Sequence, residues 1–91
     1  MAFSYSDKNF TVIGNLCFVH IDFDNKKIVD IPPAICDRMF VNNFMYPYLA
    51  HDGDIEKADI GIAIISNNKI SSYSVHNKGY FIFLFPIDSN K

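Results

Sequence analysis

Residues 80–87 read YFIFLFPI, and the only polar side-chain group in this run is the hydroxyl of Tyr80. A strand with one face in water alternates apolar and polar side chains, whereas this run is apolar on both sides. The pattern therefore predicts a strand that is covered on both faces. In a chain of 91 residues, the second cover is either another segment of the chain or another molecule.

Two strands are predicted before this run, at residues 60–66 and 69–75. Asn67 and Asn68 join them, because asparagine tolerates the positive φ of a tight hairpin turn. A second turn at Asn77-Lys78-Gly79 is predicted to lead into residues 80–87. With turns of two and three residues, the register divides the apolar side chains between two faces. One face gathers Ile60, Ile62, Ile64, Tyr73, Val75, Phe81, Phe83 and Phe85, and Tyr80, Ile82 and Leu84 lie on the other.

The first half of the chain predicts another hairpin. Residues 10–23 are rich in β-branched and aromatic types and indicate a strand that bends at Gly14. Residues 28–31 form the second strand. A three-residue loop at 24–26 keeps the apolar side chains of both strands on one face, and this register places His20 directly opposite Asp30.

A helix is predicted from Ala34 to about Tyr46. Pro32-Pro33 stops the preceding strand and suits the first turn of a helix, and Pro47 disfavours a helical conformation in the residue before it. Apolar residues lie on two nearly opposite sides of this helix, and one sheet covers only one of them. One side carries Cys36, Phe40 and Phe44, and the other carries Ile35, Met39 and Tyr46.

The polar stretch 51–59, HDGDIEKAD, predicts a loop with one helical turn that Asp54 caps. Together these elements predict an α+β fold. We expect an antiparallel sheet of about five strands in the order β-β-α-β-β-β, with one main helix packed on one face. Residues 1–91 are expected to form a single compact domain.

Composition excludes several classes of protein. Apolar residues make up 49% of the chain, which is typical of a folding chain. Eight Lys and Arg against ten Asp and Glu give a net charge of −2, which argues against nucleic-acid binding. No apolar run approaches the roughly 18 residues of a membrane span, and the first residues do not resemble a secretory signal. We therefore expect a cytoplasmic protein, with Cys17 and Cys36 as free buried thiols.

Three groups of residues are candidates for chemistry. His20, Asp22 and Asp30 combine an imidazole with carboxylates, as a general base or a metal site requires. The 51–59 loop offers His51, Asp52, Asp54, Glu56 and Asp59, although the spacing does not match an EF-hand. Ser72, Ser74 and His76 alternate along one strand, but no GxSxG turn accompanies them. We assign no catalytic residue, no metal and no cofactor from these patterns.

The surplus of apolar surface indicates a non-enzymatic protein that binds another protein or forms a homodimer. The expected contact residues are Ile35, Met39, Tyr46, Tyr80, Ile82 and Leu84. The bias toward Asn, Lys, Ile and Phe is typical of AT-rich coding sequence, which suggests a viral or mobile-element accessory protein that inhibits a host protein. The alternative is a small enzyme or a ligand- or metal-binding domain that uses His20, Asp22 and Asp30 or the 51–59 loop.

Overall fold

Eight strands form one antiparallel sheet in the computed structural model, which describes residues 3–25 and 28–90. The strands are β1 (Tyr5–Ser6), β2 (Phe10–Ile13), β3 (Leu16–Asp24), β4 (Ile28–Asp30), β5 (Phe44–His51), β6 (Asp59–Ser66), β7 (Lys69–Tyr73) and β8 (Lys78–Pro86). The described residues contain one α-helix, α1 (Pro33–Cys36), and a 3₁₀ turn at Ile55–Lys57. No helix within these ranges has the length and apolar character to cross a membrane.

The sheet curls into a half-barrel. Its strand order is β1-β2-β3-β8-β5-β6-β7-β4, so β3 and β4 follow each other in sequence but are separated by four strands in the sheet. In a flat sheet they would be about 24 Å apart, because neighbouring strands lie about 4.8 Å apart. The chain from Asp24 to Ile28 spans at most about 15 Å. The sheet must therefore curve until β4 approaches β3.

The concave side of the curl, called here the inner face, holds the hydrophobic core. Alternate residues of β3 and β8 point into it, as the two-residue period of a strand requires. The short segment that contains α1 adds Ile31 and Ile35, which are 3% and 0% exposed. The buried core consists of Phe10, Val12, Cys17, Val19, Ile21, Phe23, Ile31, Ile35, Tyr48, Ala50, Ala63, Ile65, Ile70, Phe81, Phe83, Phe85 and Ile87.

Tyr48 lies across two glycines at the centre of the inner face. It pairs directly with Gly61 on β6, and Gly79 on β8 pairs with the neighbouring Ala50. A Cβ atom on Gly61 would lie 2.5 Å from the Tyr48 ring, and one on Gly79 would overlap the same ring. Both positions therefore need glycine, because any side chain would displace the aromatic ring that fills this part of the core.

The two segments at the ends of the described chain meet at one end of the sheet. The Phe3 amide donates a hydrogen bond to the Ser89 carbonyl (2.9 Å), and the Asp88 amide donates to the Arg38 carbonyl (2.8 Å). The Arg38 guanidinium lies 3.8 Å from the centre of the Phe3 ring, a cation–π contact. These contacts tie the segment after α1 to both ends of the described chain.

The predicted α+β fold is wrong, because the structure is nearly all sheet with eight strands instead of five. The main helix predicted from Ala34 to Tyr46 is absent: α1 contains four residues, and Phe44–His51 form β5. Val41, Asn42 and Asn43 are poor helix formers, and the aromatic residues that follow them favour strands. Pro47, interpreted as a helix stop, lies inside β5.

The predicted strand pairing is correct at the local turns and wrong at the longer connections. Asn67 and Asn68 have φ values of 52° and 65° and join β6 to β7 as expected. Asp54 caps the 3₁₀ turn by accepting a hydrogen bond from the Glu56 amide (3.1 Å). Gly14, with φ of 61°, lies in a turn between β2 and β3 instead of a bend within one strand.

Two predicted hairpins do not form. In place of the β3–β4 hairpin, β4 pairs with β7 and β3 pairs with β2 and β8. Lys26, part of the loop predicted for that hairpin, lies outside the described residues. Strand β8 pairs with β3 and β5 and not with β7, so the predicted faces were combined wrongly. Phe81, Phe83 and Phe85 lie on the inner face, whereas Ile60, Ile62 and Tyr73 are exposed.

Candidate functional site

The convex side of the sheet, called here the outer face, exposes a group of large apolar side chains. They come from three neighbouring strands, β8, β5 and β6. We define the outer patch as Met45, Leu49, Ile60, Ile62, Tyr80, Ile82 and Leu84, whose exposed fractions range from 39% to 67%.

Strand register explains why these side chains lie together. Leu49 is flanked by Tyr80 on β8 and by Ile60 on β6. Further along β5, Pro47 pairs with Ile62 on β6. Strands β5 and β8 form no pair beyond Leu49 and Tyr80, and Ile82 pairs with His20 on β3. Side chains alternate between the two faces along a strand, so the residue two positions further on points outward as well. The outer patch therefore has one row of side chains that crosses all three strands, Tyr80, Leu49 and Ile60. Its other members follow at outward positions of the separate strands.

The sequence of β6 directs its isoleucines outward. Its inner positions are occupied by Gly61, Ala63 and Ile65, and the first of these makes room for the Tyr48 ring. Ile60 and Ile62 alternate with these residues and must point away from the core. Ile60 and Ile62 therefore add to the exposed surface instead of the core, whereas Ile65 is buried.

The outer patch is large and uncharged. Its seven apolar side chains are 39% to 67% exposed, and monomers rarely expose contiguous apolar patches of more than a few hundred Å². Polar side chains of β3 border the patch along β8, because His20 pairs with Ile82, Asp22 with Tyr80 and Asp24 with Lys78. A partner bound to this surface would meet apolar side chains at its centre and charged side chains at one edge.

A cavity of about 300 Å³ adjoins the outer patch where β5 and β8 separate. The β5–β8 ladder contains three residue pairs and ends at Leu49 and Tyr80, although both strands continue beyond them. Pro47 has no backbone N–H. Because the ladder between β5 and β6 is continuous through Pro47, the missing donor is on the side of β5 that faces β8. The cavity is lined by Val41, Phe44, Met45, Tyr46, Phe85 and Pro86.

The structure brings together three of the six residues predicted to bind a partner. Tyr80, Ile82 and Leu84 lie in the outer patch. Ile35 is fully buried in the core, and Met39 is partly buried against it and forms a bridge with Ile87. The Tyr46 ring packs 4.6 Å from the Phe83 ring, centre to centre, and is 37% exposed beside the cavity.

Sequence reasoning missed four residues of the outer patch, namely Met45, Leu49, Ile60 and Ile62. Met45 falls within the predicted helix, and Leu49 falls in the segment after it. Ile60 and Ile62 were predicted to lie on the sheet face that this helix covers. The alternation of Gly61 and Ala63 with isoleucine was the available signal, because small residues on a core-facing side imply large residues facing outward.

His20 and Asp30, which were predicted to lie opposite each other, belong to strands that do not pair in the structure. The Asp30 carboxylate accepts a hydrogen bond from the Lys69 ammonium (2.9 Å) on the neighbouring strand. The His20 ring lies edge-on to Tyr80, with 5.2 Å between ring centres, and its Nδ1 is 3.3 Å from the Lys8 carbonyl oxygen. His20 pairs with Ile82 and not with Asp30 as predicted.

A contact between a histidine and a carboxylate joins two loops. The Asp52 carboxylate lies 2.8 Å from His76 Nδ1 and accepts a hydrogen bond from the Asn77 amide (2.8 Å). The Asn77 amide first, and His76 second, lower the pKa of the Asp52 carboxyl. This contact fixes the loop after β5 to the loop before β8.

Asp54, Asp59 and Ser74 bind backbone groups nearby. Asp54 caps the 3₁₀ turn, and Asp59 accepts a hydrogen bond from the Ile60 amide (3.1 Å). The Ser74 hydroxyl accepts a hydrogen bond from the His76 amide (3.0 Å), so it points toward the backbone. Within residues 3–25 and 28–90, no three His, Cys, Asp or Glu side chains are grouped to hold a metal ion.

The two cysteines are poor nucleophiles in this environment. Burial raises the pKa of the Cys17 thiol to about 12. Burial also raises the pKa of Cys36, whose Sγ donates a hydrogen bond to the Ile31 carbonyl (3.4 Å). Because the thiolate is the reactive form, both side chains act as small apolar groups near neutral pH.

Comparison with protein-family models, with curated proteins and with solved structures found no match to this chain.

Proposed function

We propose that this protein acts by binding another protein molecule through the outer patch. The observation that supports the proposal is that seven large apolar side chains on three adjacent strands are 39% to 67% exposed on one face of the sheet, since a monomer seldom leaves a contiguous apolar patch of more than a few hundred Å² in water. Covering this surface removes it from water and is worth roughly 25 cal/mol per Å² before the entropy of association is subtracted.

The chemistry of the patch suits a protein surface better than a small polar ligand. Tyr80 supplies an aromatic side chain with a hydroxyl at its tip, a combination that is enriched at protein interfaces. Ile82 and Ile60 are 64% and 67% exposed and supply further apolar contact. Charges at one edge, from Asp22, Asp24 and Lys78, fit the polar rim of an interface.

The proposal includes a cytoplasmic location. Cys17 and Cys36 are free thiols in the structure. Reducing conditions in the cytoplasm keep such thiols unpaired, so the proposed location is consistent with their chemistry.

Site-specific photo-cross-linking in the cells that produce the protein tests this proposal. A photoreactive phenylalanine analogue replaces Ile82 or Ile60 in the outer patch. The matched control replaces Ile55, which is 66% exposed on the 3₁₀ turn and lies outside the patch. We expect cross-linked protein products from the two patch positions and at least about tenfold fewer from the control, because contact decides the yield.

The proposal would be contradicted by equal yields at all three positions. The products, identified by mass spectrometry, include either a second copy of the chain or a different protein. Circular dichroism of the three variants verifies that each retains the wild-type sheet.

A further inference from the structure

We infer that the gap between β3 and β4 is a second binding site, which accepts an extended peptide segment of another protein as an added strand. The segment alternates apolar side chains, directed into the core, with polar ones, and it carries lysine or arginine where it passes between Asp22 and Asp30. This site lies outside the outer patch, so the inference goes beyond the proposed function and does not depend on it.

Two strands that follow each other in sequence lie side by side without pairing. Strand β3 ends at Asp24 and β4 begins at Ile28, and a loop of this length commonly closes a hairpin. Within the described sheet, β4 instead pairs with β7 alone, and the ladder of β2 with β3 extends only to Val19. The last residues of β3, from Asp22 to Asp24, and the whole of β4 therefore have one free edge each.

A cavity of about 540 Å³ lies between these edges. Its volume falls within the range of about 300–1,000 Å³ for ligand sites. For nearly every pair of residues across the gap the Cα–Cα distance exceeds 8 Å, whereas it is about 4.5–5.5 Å for partners in paired strands. The gap is therefore wider than the spacing of two paired strands. Both edges contribute to its lining, which consists of Lys8, Asn9, His20, Ile21, Asp22, Ile28 and Val29.

On β3, the backbone N–H and C=O of Asp22 point into the gap. Successive residues of an antiparallel strand direct these groups to alternate sides. The His20 amide donates a hydrogen bond to the Asn9 carbonyl (2.9 Å), on the side of β2. The backbone groups of Asp22, two residues later, point to that same side, beyond the last pair of the β2–β3 ladder. A donor and an acceptor on β3 are thus available to an added strand.

On β4, the backbone groups of Ile28 and Asp30 point into the gap. The Ile31 amide donates a hydrogen bond to the Asn68 carbonyl (2.9 Å), on the side of β7. Alternation directs Val29 to the same side, and Ile28 and Asp30 to the opposite side. An extended peptide in the gap can therefore form hydrogen bonds with both edges, as peptides do when they add a strand to the edge of a sheet.

The side chains beside the gap differ between its two faces. Toward the core, Ile21 is 2% exposed and Val29 packs against the buried cluster, so apolar side chains fit there. On the opposite face, Asp22 and Asp30 border the gap. A direct β3–β4 hairpin from the observed strand ends would place these two carboxylates opposite each other, which destabilises a sheet. A cationic side chain between them replaces that repulsion with attraction.

Two neighbouring lysines limit this preference to one basic residue. The Asp30 carboxylate already accepts a hydrogen bond from the Lys69 ammonium (2.9 Å). Lys8 lines the cavity beside His20, whose Nδ1 is 3.3 Å from the Lys8 carbonyl oxygen. A polybasic segment would bring further cations toward these lysines. The site therefore fits a segment with one lysine or arginine among uncharged residues.

NMR titration with the capped peptide Thr-Val-Lys-Val-Thr tests the site. We expect amide hydrogen exchange at Asp22 and Asp30 to slow by at least about tenfold at saturation, because both amides gain an acceptor. The Ala63 amide, in the middle of β6, is the control and should exchange at an unchanged rate.

Two variants of the peptide separate backbone pairing from charge. N-methyl groups on both valines remove the donors along one edge of the peptide and retain its side chains. Binding of this variant should be at least about tenfold weaker. Replacing the lysine of the peptide by threonine should weaken binding about twofold to fivefold, as expected for the loss of an exposed ion pair.

A substitution in the protein tests the contact of the peptide with Asp22. Asp22→Asn should weaken binding of the lysine peptide and leave binding of the threonine peptide unchanged, because the coupling needs both charges. The matched control is Asp37→Asn, which makes the same change of charge at an exposed position after α1. It should bind both peptides like the wild type.

Absence of binding up to about 1 mM peptide would overturn the inference. Equal affinity for the N-methylated peptide would overturn it as well, and so would protection at β5 and β8 in place of Asp22 and Asp30. Photo-cross-links from Ile82 and Ile60 report on the outer patch and not on this gap, so failure of this inference is distinguishable from failure of the proposed function.

Discussion

At the scale of single residues, the packing of Tyr48 decides which side chains the neighbouring strands can carry. The ring is 7% exposed and contacts Phe23 and Phe81, with ring centres 5.2 Å and 6.2 Å away. Its position leaves no space for a Cβ at Gly61 or Gly79. A single aromatic residue on β5 thus requires glycine on both neighbouring strands.

Gly79→Ala should lower the free energy of unfolding by about 2–3 kcal/mol, because the added methyl group overlaps the Tyr48 ring and overpacks the core. Urea denaturation measures the loss. The matched comparison is the same change in a Tyr48→Leu background, where the ring is absent. The explanation is wrong if Gly79→Ala is equally destabilising in both backgrounds, since coupled residues must show non-additive effects.

The Asp52 contact predicts a loss of stability in acid. The pKa of the Asp52 carboxyl is lowered in the folded chain from its ordinary value of 3.8, mainly by the Asn77 amide and then by His76. The ionised form therefore stabilises the fold above the ordinary pKa, and this contribution disappears as pH falls through the lowered value. Thermal midpoints measured between pH 6 and pH 3 should fall less steeply for Asp52→Asn than for the wild type.

His76 is the second partner of Asp52, so His76→Ala should reduce the same pH dependence only in part. The Asn77 amide remains as a donor in that variant. Parallel curves for the wild type and Asp52→Asn would show that other carboxyl groups cause the acid transition.

At the scale of elements, Pro47 explains why β5 and β8 separate. The aromatic residues of the two strands stay in contact beyond the last ladder pair: the Phe44 ring lies 5.9 Å from the Phe85 ring, centre to centre. Their backbones nevertheless form no ladder there, because proline lacks the N–H that the next bond needs. Side-chain packing therefore holds this part of the sheet without backbone pairing.

Pro47→Val should extend the ladder, because valine restores the donor and favours a strand. We expect slower amide hydrogen exchange at Met45 and Ile82 than in the wild type, measured by NMR. Amides of β3, which pairs with β8 along its full length, provide the control and should be unchanged. Unchanged exchange at Ile82 would mean that the separation has another cause.

Local sequence features predicted the short connections well. Asn67-Asn68 and Asp54 act within a few residues, so their chemistry alone determines a turn or a cap. The helix prediction failed because it relied on a spacing of apolar residues that also fits a strand with aromatic side chains on its inner face. Phe44, Tyr46 and Tyr48 alternate in that way, and tertiary packing decided between the two patterns.

At the scale of the whole molecule, the sequence could not determine which strands are neighbours. The predicted division of side chains between the two faces was correct for β6 and β7. The prediction placed β8 beside β7, because Asn77-Lys78-Gly79 resembles a hairpin turn. In the structure β8 enters between β3 and β5, which reverses its faces relative to β6. The sequence predicted that Tyr80, Ile82 and Leu84 share an exposed face. Only the fold shows which other side chains lie on that face with them.

The order of the strands has a consequence for biosynthesis. Strand β8 is the last to leave the ribosome, yet it joins β3, made some sixty residues earlier, to β5. Before β8 is synthesised, the strands of the nascent chain can form only two separate sheet fragments with exposed edges. Such distant pairing slows folding and leaves aggregation-prone strand edges exposed in the meantime, so we expect this sheet to need chaperones during translation.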